Sequence, residues 1–196
     1  MPKTATKSIK GTKTEKALLT AFAGESQARN RYTYFASVAK KAGYEQIAAI
    51  FLETAENEKE HAKRFFKMLE GGEVEISAAY PAGVVGDTLS NLKAAAAGEY
   101  LEWTKLYKEA ADLARSEGFD EVGKQFDEIA KVEVQHEKRY VKLAKNIKEG
   151  SIFKKKATAK WHCRNCGHVH EGEEAPNSCP ACAHPQSYFE ILAENY

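Results

Sequence analysis

Glu58-Lys59-Glu60-His61 and Glu133-Val134-Gln135-His136 repeat one pattern, a glutamate followed three residues later by a histidine. Residues three apart lie on the same side of a helix, so the carboxylate and imidazole of each copy can reach one metal ion. Two such helices facing each other can hold two ions. The residues around each copy decide whether the chain supplies those helices.

Around the first copy, a step of three or four links Ile47, Phe51, Thr54, Glu58, His61, Phe65 and Met68 until Gly71-Gly72 ends the run. Around the second, the same rhythm links Val122, Phe126, Ile129, Glu133, His136, Tyr140, Leu143 and Ile147. An earlier helix opens on the capping box Thr12-Lys13-Thr14-Glu15, carries Leu18, Phe22, Glu25, Arg29, Tyr32, Ala36 and Ala39 on its stripe, and stops near Gly43. Another starts near Asp87 or Thr88 and carries Leu92, Ala95, Glu99, Glu102, Leu106 and Leu113 before Gly118. Residues 73–87, with Pro81, Gly83 and Gly86, have no sustained helical period and read as a long connection. Two short connections and one long crossover among four helices, each roughly 40 Å long, describe a ferritin-like four-helix bundle.

Glu25, Glu58, Glu99, Glu102 and Glu133 occupy stripe positions, whereas Glu53, Glu56, Glu60, Glu109, Glu128 and Glu137 fall on outer faces. A single inward glutamate is commonly a surface residue read out of phase. Five of them, ionised and unpaired, would cost several kcal/mol each and repel one another, so cations are required. Two divalent ions bring such a cluster near neutrality, and two neutral imidazoles add ligands without adding charge. Glu, Glu-x-x-His, Glu and Glu-x-x-His in helix order is the ligand set of di-iron and di-manganese carboxylate centres in bundles. Oxygen ligands with two imidazoles suit iron or manganese better than a lone zinc or magnesium.

Glu58 and Glu133 are the expected bridges, with Glu25 and Glu99 as terminal ligands. Glu102, one turn after Glu99, is either a further ligand competing with His61 or an acceptor for a histidine N–H. Tyr32 and Tyr107 are expected to point inward, where a phenol either bonds a metal-binding carboxylate or peroxide, or packs with its hydroxyl satisfied nearby. Trp103, Phe22, Phe65 and Phe126 are expected in the core.

All four cysteines lie in Cys163-Arg164-Asn165-Cys166 and Cys179-Pro180-Ala181-Cys182. Two such knuckles direct four thiolates at one tetrahedral ion, and the short module after Lys160 has too little core to fold without it. Zinc and iron both suit this spacing. Trp161, Tyr188 and Phe189 are placed to enclose the ion, while His162, His168, His170 and His184 read as surface or packing residues. Residues 1–146 are thus expected as the bundle, 147–160 as a linker with a solvated Lys154-Lys155-Lys156 run, and 161–196 as the metal module. The 29 basic and 28 acidic residues nearly cancel in a chain of 196, which argues against a nucleic-acid or membrane-surface partner. No apolar run is long enough to span a bilayer, and the Lys-rich start from Met1 to Lys13 lacks the apolar stretch of a secretory signal, so a cytoplasmic location is expected.

The segment Ala23-Gly24-Glu25-Ser26-Gln27-Ala28-Arg29-Asn30-Arg31-Tyr32, both Glu-x-x-His copies, Gly98-Glu99 with Glu102, and the terminal knuckles together resemble the rubrerythrin family over nearly the whole chain. The resemblance implies a ferritin-like di-iron bundle followed by a rubredoxin-like Fe(Cys)4 domain. It also implies a non-haem peroxidase that reduces hydrogen peroxide to water in oxidative-stress defence. Cleaving an O–O bond takes two electrons, which two ferrous ions can supply, with the cysteine-bound iron returning them singly.

By the same resemblance, Glu25, Glu58, His61, Glu99, Glu102, Glu133 and His136 are the bundle ligands. His61 holds an iron when reduced and Glu102 holds it when oxidised. The family further implies a homodimer in which one subunit's rubredoxin-like domain serves the other's di-iron site, fed by a donor such as a rubredoxin or an NAD(P)H-dependent reductase. One departure is His168, where rubredoxin-like knuckles often carry an aromatic residue after Cys-x-x-Cys-Gly, a change that bears on the potential of the iron. The rival reading is a ferritin-like ferroxidase that handles iron, against which the cysteine module stands.

Overall fold

A computed structural model describes residues 7–195, so part of the Lys-rich start lies outside the described residues. Helix α1 spans Lys13–Lys41, α2 Glu45–Phe66, α3 Thr88–Leu101, α4 Tyr107–Ser116 and α5 Asp120–Lys148, and a π-helical segment, Glu102–Leu106, joins α3 to α4. Thr12 caps α1 by accepting from Glu15 N–H at 3.1 Å. The Glu15 carboxylate reaches back to Gly11 N–H at 2.8 Å rather than to Thr12, because Thr12 N–H is already bonded to Ile9 O. Glycines with positive φ, Gly43 and Gly118, end α1 and α4. After each, the next N–H reaches five residues back, Tyr44 to Ala39 O and Phe119 to Ala114 O, which closes the helix end and turns the chain sharply.

Contacts across the bundle give its directions. Glu53 with Arg139, Asn57 with His136, and Arg64 with Gln125 run α2 antiparallel to α5. Thr14 with Glu117 and Glu25 with Tyr107 run α1 antiparallel to the third helix. Arg29 with Glu56 and Phe22 with Phe66 run α1 antiparallel to α2. The third helix therefore lies parallel to α2, and the irregular residues 73–87 form the long crossover that this requires. Asp87 caps its start by accepting from Ser90 N–H at 2.7 Å.

The sequence pattern predicts an unbroken third helix with Leu106 and Leu113 on its buried stripe. Instead Leu106 is 44% exposed, and Tyr107, Ala111 and Ala114 are buried. The π segment holds one residue more than an α-helical turn, so every later residue reaches the core one position late. Trp103 and Phe22, expected in the core, are half-buried. Phe65 and Phe126 are fully buried, and each such burial contributes about 1.5 to 3 kcal/mol.

The chain forms two compact units, one of residues up to Asn30, Ala55–Gly83 and Ala97–Glu137, the other of Arg31–Thr54, Val84–Ala96 and Lys138 onward. The first has an apolar core of Leu18, Phe65, Tyr107, Phe126 and Ile129 among others. In the second, Tyr32, Phe35, Phe51 and Tyr140 form an aromatic cluster with ring centroids 5.1–6.2 Å apart. That unit also holds a sheet of β1 (Lys154–Cys163), β2 (Val169–Glu174) and β3 (Phe189–Ile191) in the order β2-β1-β3, both pairings antiparallel.

Part of the expected linker, residues 147–160, belongs to the elements that flank it. α5 runs on to Lys148, and the lysine run opens β1, where Lys154 and Lys160 face Glu174 and Glu171 of β2. Opposite charges paired across the ladder give those lysines a reason to be in a strand. Among the described residues, no helix is long and apolar enough to cross a membrane.

Candidate metal centres

Within the first unit, two groups of side chains each bring their ligand atoms within 4.8 Å of one another: Glu25, Glu58, His61 and Glu133, and Glu58, Glu99, Glu133 and His136. Glu58 and Glu133 belong to both. His61 Nδ1 lies 2.9 Å from Glu58 Oε2 and 3.0 Å from Glu133 Oε1, while His136 Nδ1 lies 3.2 Å from Glu58 Oε1 and 2.7 Å from Glu133 Oε2. Each shared carboxylate thus turns one oxygen toward each histidine, the arrangement needed to bridge two ions. Glu25 stands beside His61 at 3.6 Å and Glu99 beside His136 at 3.7 Å.

Glu25, Glu58, Glu99 and Glu133 are each at most 1% exposed. Glu25 Oε2 is buried without a hydrogen bond, and both Glu133 oxygens and His136 Nδ1, although 2.7–3.0 Å from an opposite partner, make none of favourable geometry. Such atoms are costly unless a cation completes them, and their oxygen and imidazole chemistry fits a pair of iron ions. The electrostatics carry the same demand for positive charge. Burial opposes protonation of the imidazoles, but the carboxylates of Glu133 and Glu58 outweigh it and raise His61 to about 9 and His136 to about 12. Burial, then Glu58 and Glu102, pushes the Glu25 carboxyl well above its usual range.

In the metal-free chain, protons therefore take the place of the ions. Because both imidazole pKa values are raised, their pairing stabilises the metal-free fold fully below about pH 6.5, and the His61 part is lost as pH rises through about 9. Both imidazoles must shed a proton to accept a metal. Loading ferrous ions anaerobically at pH 7 in weak buffer is expected to release protons, and above about pH 9 the His61 share disappears. An indicator-dye titration reads this, and release independent of pH would contradict it.

Glu102 opens the π segment and is absent from both groups of ligand atoms. Burial, followed by Glu99 and Glu133, holds its carboxyl well above the usual range, although the residue keeps some solvent exposure. Tyr107 donates its hydroxyl to Glu25 Oε1 at 2.5 Å. Tyr32 lies in the aromatic cluster of the second unit, 5.5 Å from the Tyr140 ring. Two residues escaped the sequence reading. Asn57 Oδ1 accepts from His136 Nε2 at 3.3 Å, and Glu137, assigned to an outer face, accepts from Trp103 Nε1 at 2.7 Å. Asn57 immediately precedes a ligand and Glu137 immediately follows one, which was the available clue.

In the second unit the four cysteines converge, with Cys163 Sγ 3.8 Å from Cys182 Sγ and Cys166 Sγ 3.6 Å from Cys179 Sγ. Disulfide sulfurs sit at about 2.05 Å, whereas sulfurs placed tetrahedrally at about 2.3 Å from an ion are roughly 3.8 Å apart, so the spacing fits a single ion. The knuckles match in their backbone. Cys163 N–H bonds to His168 O and Gly167 N–H to Cys163 O, as Cys179 N–H bonds to His184 O and Ala183 N–H to Cys179 O. Gly167 adopts φ 81°, and Ala183 adopts φ 57° at the corresponding place, where a side chain is strained. A backbone bond from His184 draws the Cys182 thiol down to about 6, which favours the thiolate that a metal needs. Trp161 and Phe189 are buried against this site, Tyr188 is half-buried beside it, and the Trp161 indole donates to Gly172 O. His168 and His184 thus serve the knuckles through their main chain, and the His184 ring also packs edge-on against Tyr188.

Comparison with known proteins adds to this geometry. Residues 16–144 match the family model described as rubrerythrin, and residues 161–190 match that of the rubrerythrin rubredoxin-like domain. The chain is 62% identical to a rubrerythrin of Porphyromonas gingivalis, covering 97% of this chain and 95% of that one. It is 58% identical to a rubrerythrin of Nitratidesulfovibrio vulgaris, covering 97% and 100%. A solved structure of nigerythrin in its fully reduced, all-ferrous state is 30% identical with a TM-score of 0.60, covering 97% of this chain and 89% of that one.

Proposed function

Because the chain belongs to the rubrerythrin family, we propose that it is a non-haem di-iron peroxidase reducing hydrogen peroxide to water, with electrons relayed through iron at the four cysteines. The observation that carries this reading is the pair of buried ligand groups sharing Glu58 and Glu133, in a chain that also presents a four-cysteine site. An iron store needs the first but has no use for a one-electron relay.

Reducing peroxide to two waters consumes two electrons and two protons. Iron bound by Glu25, Glu58, His61, Glu99, Glu133 and His136 would supply the electrons. The chain itself supplies proton-bearing groups, namely the Glu102 carboxyl, which burial and Glu99 keep protonated, and the Tyr107 hydroxyl on Glu25. Phe65 and Phe126, packed on the Tyr107 ring at 5.7 Å, exclude water from that side. Glu102 is the carboxylate available to replace His61 when the centre is oxidised, since an added anion matches an added positive charge. Tyr100, Leu101 and Leu106 are 53%, 47% and 44% exposed, apolar surface open to a second copy. A homodimer fed by a rubredoxin or an NAD(P)H-dependent reductase in the cytoplasm completes the reading.

The test is a stopped-flow comparison of the anaerobically reduced chain mixed with peroxide or with dioxygen. Oxidation by peroxide is expected to be much the faster. Equal or faster oxidation by dioxygen would sink the peroxidase assignment.

A further inference from the structure

The two Glu-x-x-His copies lie on antiparallel helices and exchange contacts in a near two-fold way, yet the residue before each glutamate differs. It is Asn57 before Glu58 and Val132 before Glu133. Asn57 reaches across to the other copy's histidine and accepts from His136 Nε2 at 3.3 Å. Val132 is the matching residue of the other copy, carries no polar atom, and is 37% exposed. Among the described residues His61 Nε2 has no hydrogen-bond partner, and the His61 side chain is 13% exposed against 3% for His136.

We propose that Asn57 is a positioning residue that makes the two metal positions unequal, with the His136 position the tighter and the His61 position the looser. A ligand imidazole binds best when its other nitrogen is held, because the acceptor fixes the ring, selects the tautomer and raises the basicity of the ligating nitrogen. His136 has that support, with Nε2–H directed at an amide oxygen and Nδ1 left for the ion. His61 lacks such an acceptor, so its ring is held from the carboxylate side alone. Each ligand group has one terminal and two shared carboxylates, so the outer partner of each histidine adds its own difference to the one that Tyr107 makes at Glu25. The inference rests on the two-metal reading of the cluster and not on peroxide chemistry.

The test is a stepwise anaerobic titration of the metal-free full chain with cobalt(II) alone. Thiolate charge-transfer bands report the cysteine site separately from the weaker bands of the bundle ions. In the unaltered chain the bundle fills in two unequal steps. Asn57→Leu is expected to weaken the tighter step by about 10- to 100-fold and leave the weaker step nearly unchanged. Asn57→Asp, which keeps the acceptor, restores it, and Val132→Asn strengthens the weaker step. Proton NMR of the cobalt-loaded chain supplies a readout that mere destabilisation would not give. One slowly exchanging, paramagnetically shifted imidazole N–H is expected, lost in Asn57→Leu and joined by a second in Val132→Asn. Two indistinguishable steps in the unaltered chain, or equal weakening of both steps by Asn57→Leu with its helical content intact, would overturn the proposal. Cobalt uptake at the cysteines alone would remove the two-metal reading itself.

Discussion

Glu133→Ala is expected to empty both metal positions of the bundle at once while leaving the cysteine-bound ion in place. Glu133 is fully buried and turns one oxygen to each histidine, at 3.0 Å and 2.7 Å, so neither ligand group survives its loss. Partners outside the ligand shell already cost about 10- to 100-fold in metal affinity or activity, and a shared carboxylate should exceed that range in both. Metal analysis of the purified variant with a peroxide turnover assay checks this. Glu128→Ala is the control, because that carboxylate lies outside and pairs with Lys131. Retention of two bundle ions by the Glu133 variant would show that the shared geometry is not the basis of binding.

Cys163→Ser is expected to abolish iron–thiolate absorption and stop turnover driven by an external reductase, while a chemically reduced bundle still oxidises once on mixing with peroxide. Cys163 is fully buried, and its sulfur lies 3.8 Å from Cys182 Sγ. The small core of Trp161, Cys179, Phe189 and Ala175 is built around it. A module of this size depends on its ion for folding, so added protease should cut the variant after Lys148 but spare the bundle. A visible spectrum, reductase-coupled turnover and limited proteolysis read the three effects. Undiminished reductase-fed turnover would remove the relay from the mechanism.

The bundle was legible in the sequence because its signals are local. Capping at Thr12, helix-ending glycines at Gly43 and Gly118, and a stripe in steps of three and four are properties of neighbouring residues. Glutamates on an apolar stripe stood out because burying charge is expensive. What escaped depends on chain geometry that side-chain type does not encode. No residue between Glu102 and Leu106 announces a π turn, so the burial of Tyr107 in place of Leu106 could not be read in advance. The lysine run after Gly150 reads as solvated until the glutamates of β2 are set beside it. Asn57 could have been noticed by comparing the residues that precede Glu58 and Glu133, but only the antiparallel pairing of α2 and α5 shows what it touches.

The π segment carries a consequence for how such a chain can change. Glu99 and Tyr107 both face the carboxylate cluster, yet they are one residue further apart than two α-helical turns would place them. The spare residue is confined to Glu102–Leu106. A chain one residue shorter there could close into an ordinary helix with Glu99, Tyr107, Ala111 and Ala114 still in phase, and only the setting of Glu102 and its immediate neighbours would differ. The segment works like a splice in a cable, where local chemistry can be inserted or removed while the load on either side is carried as before.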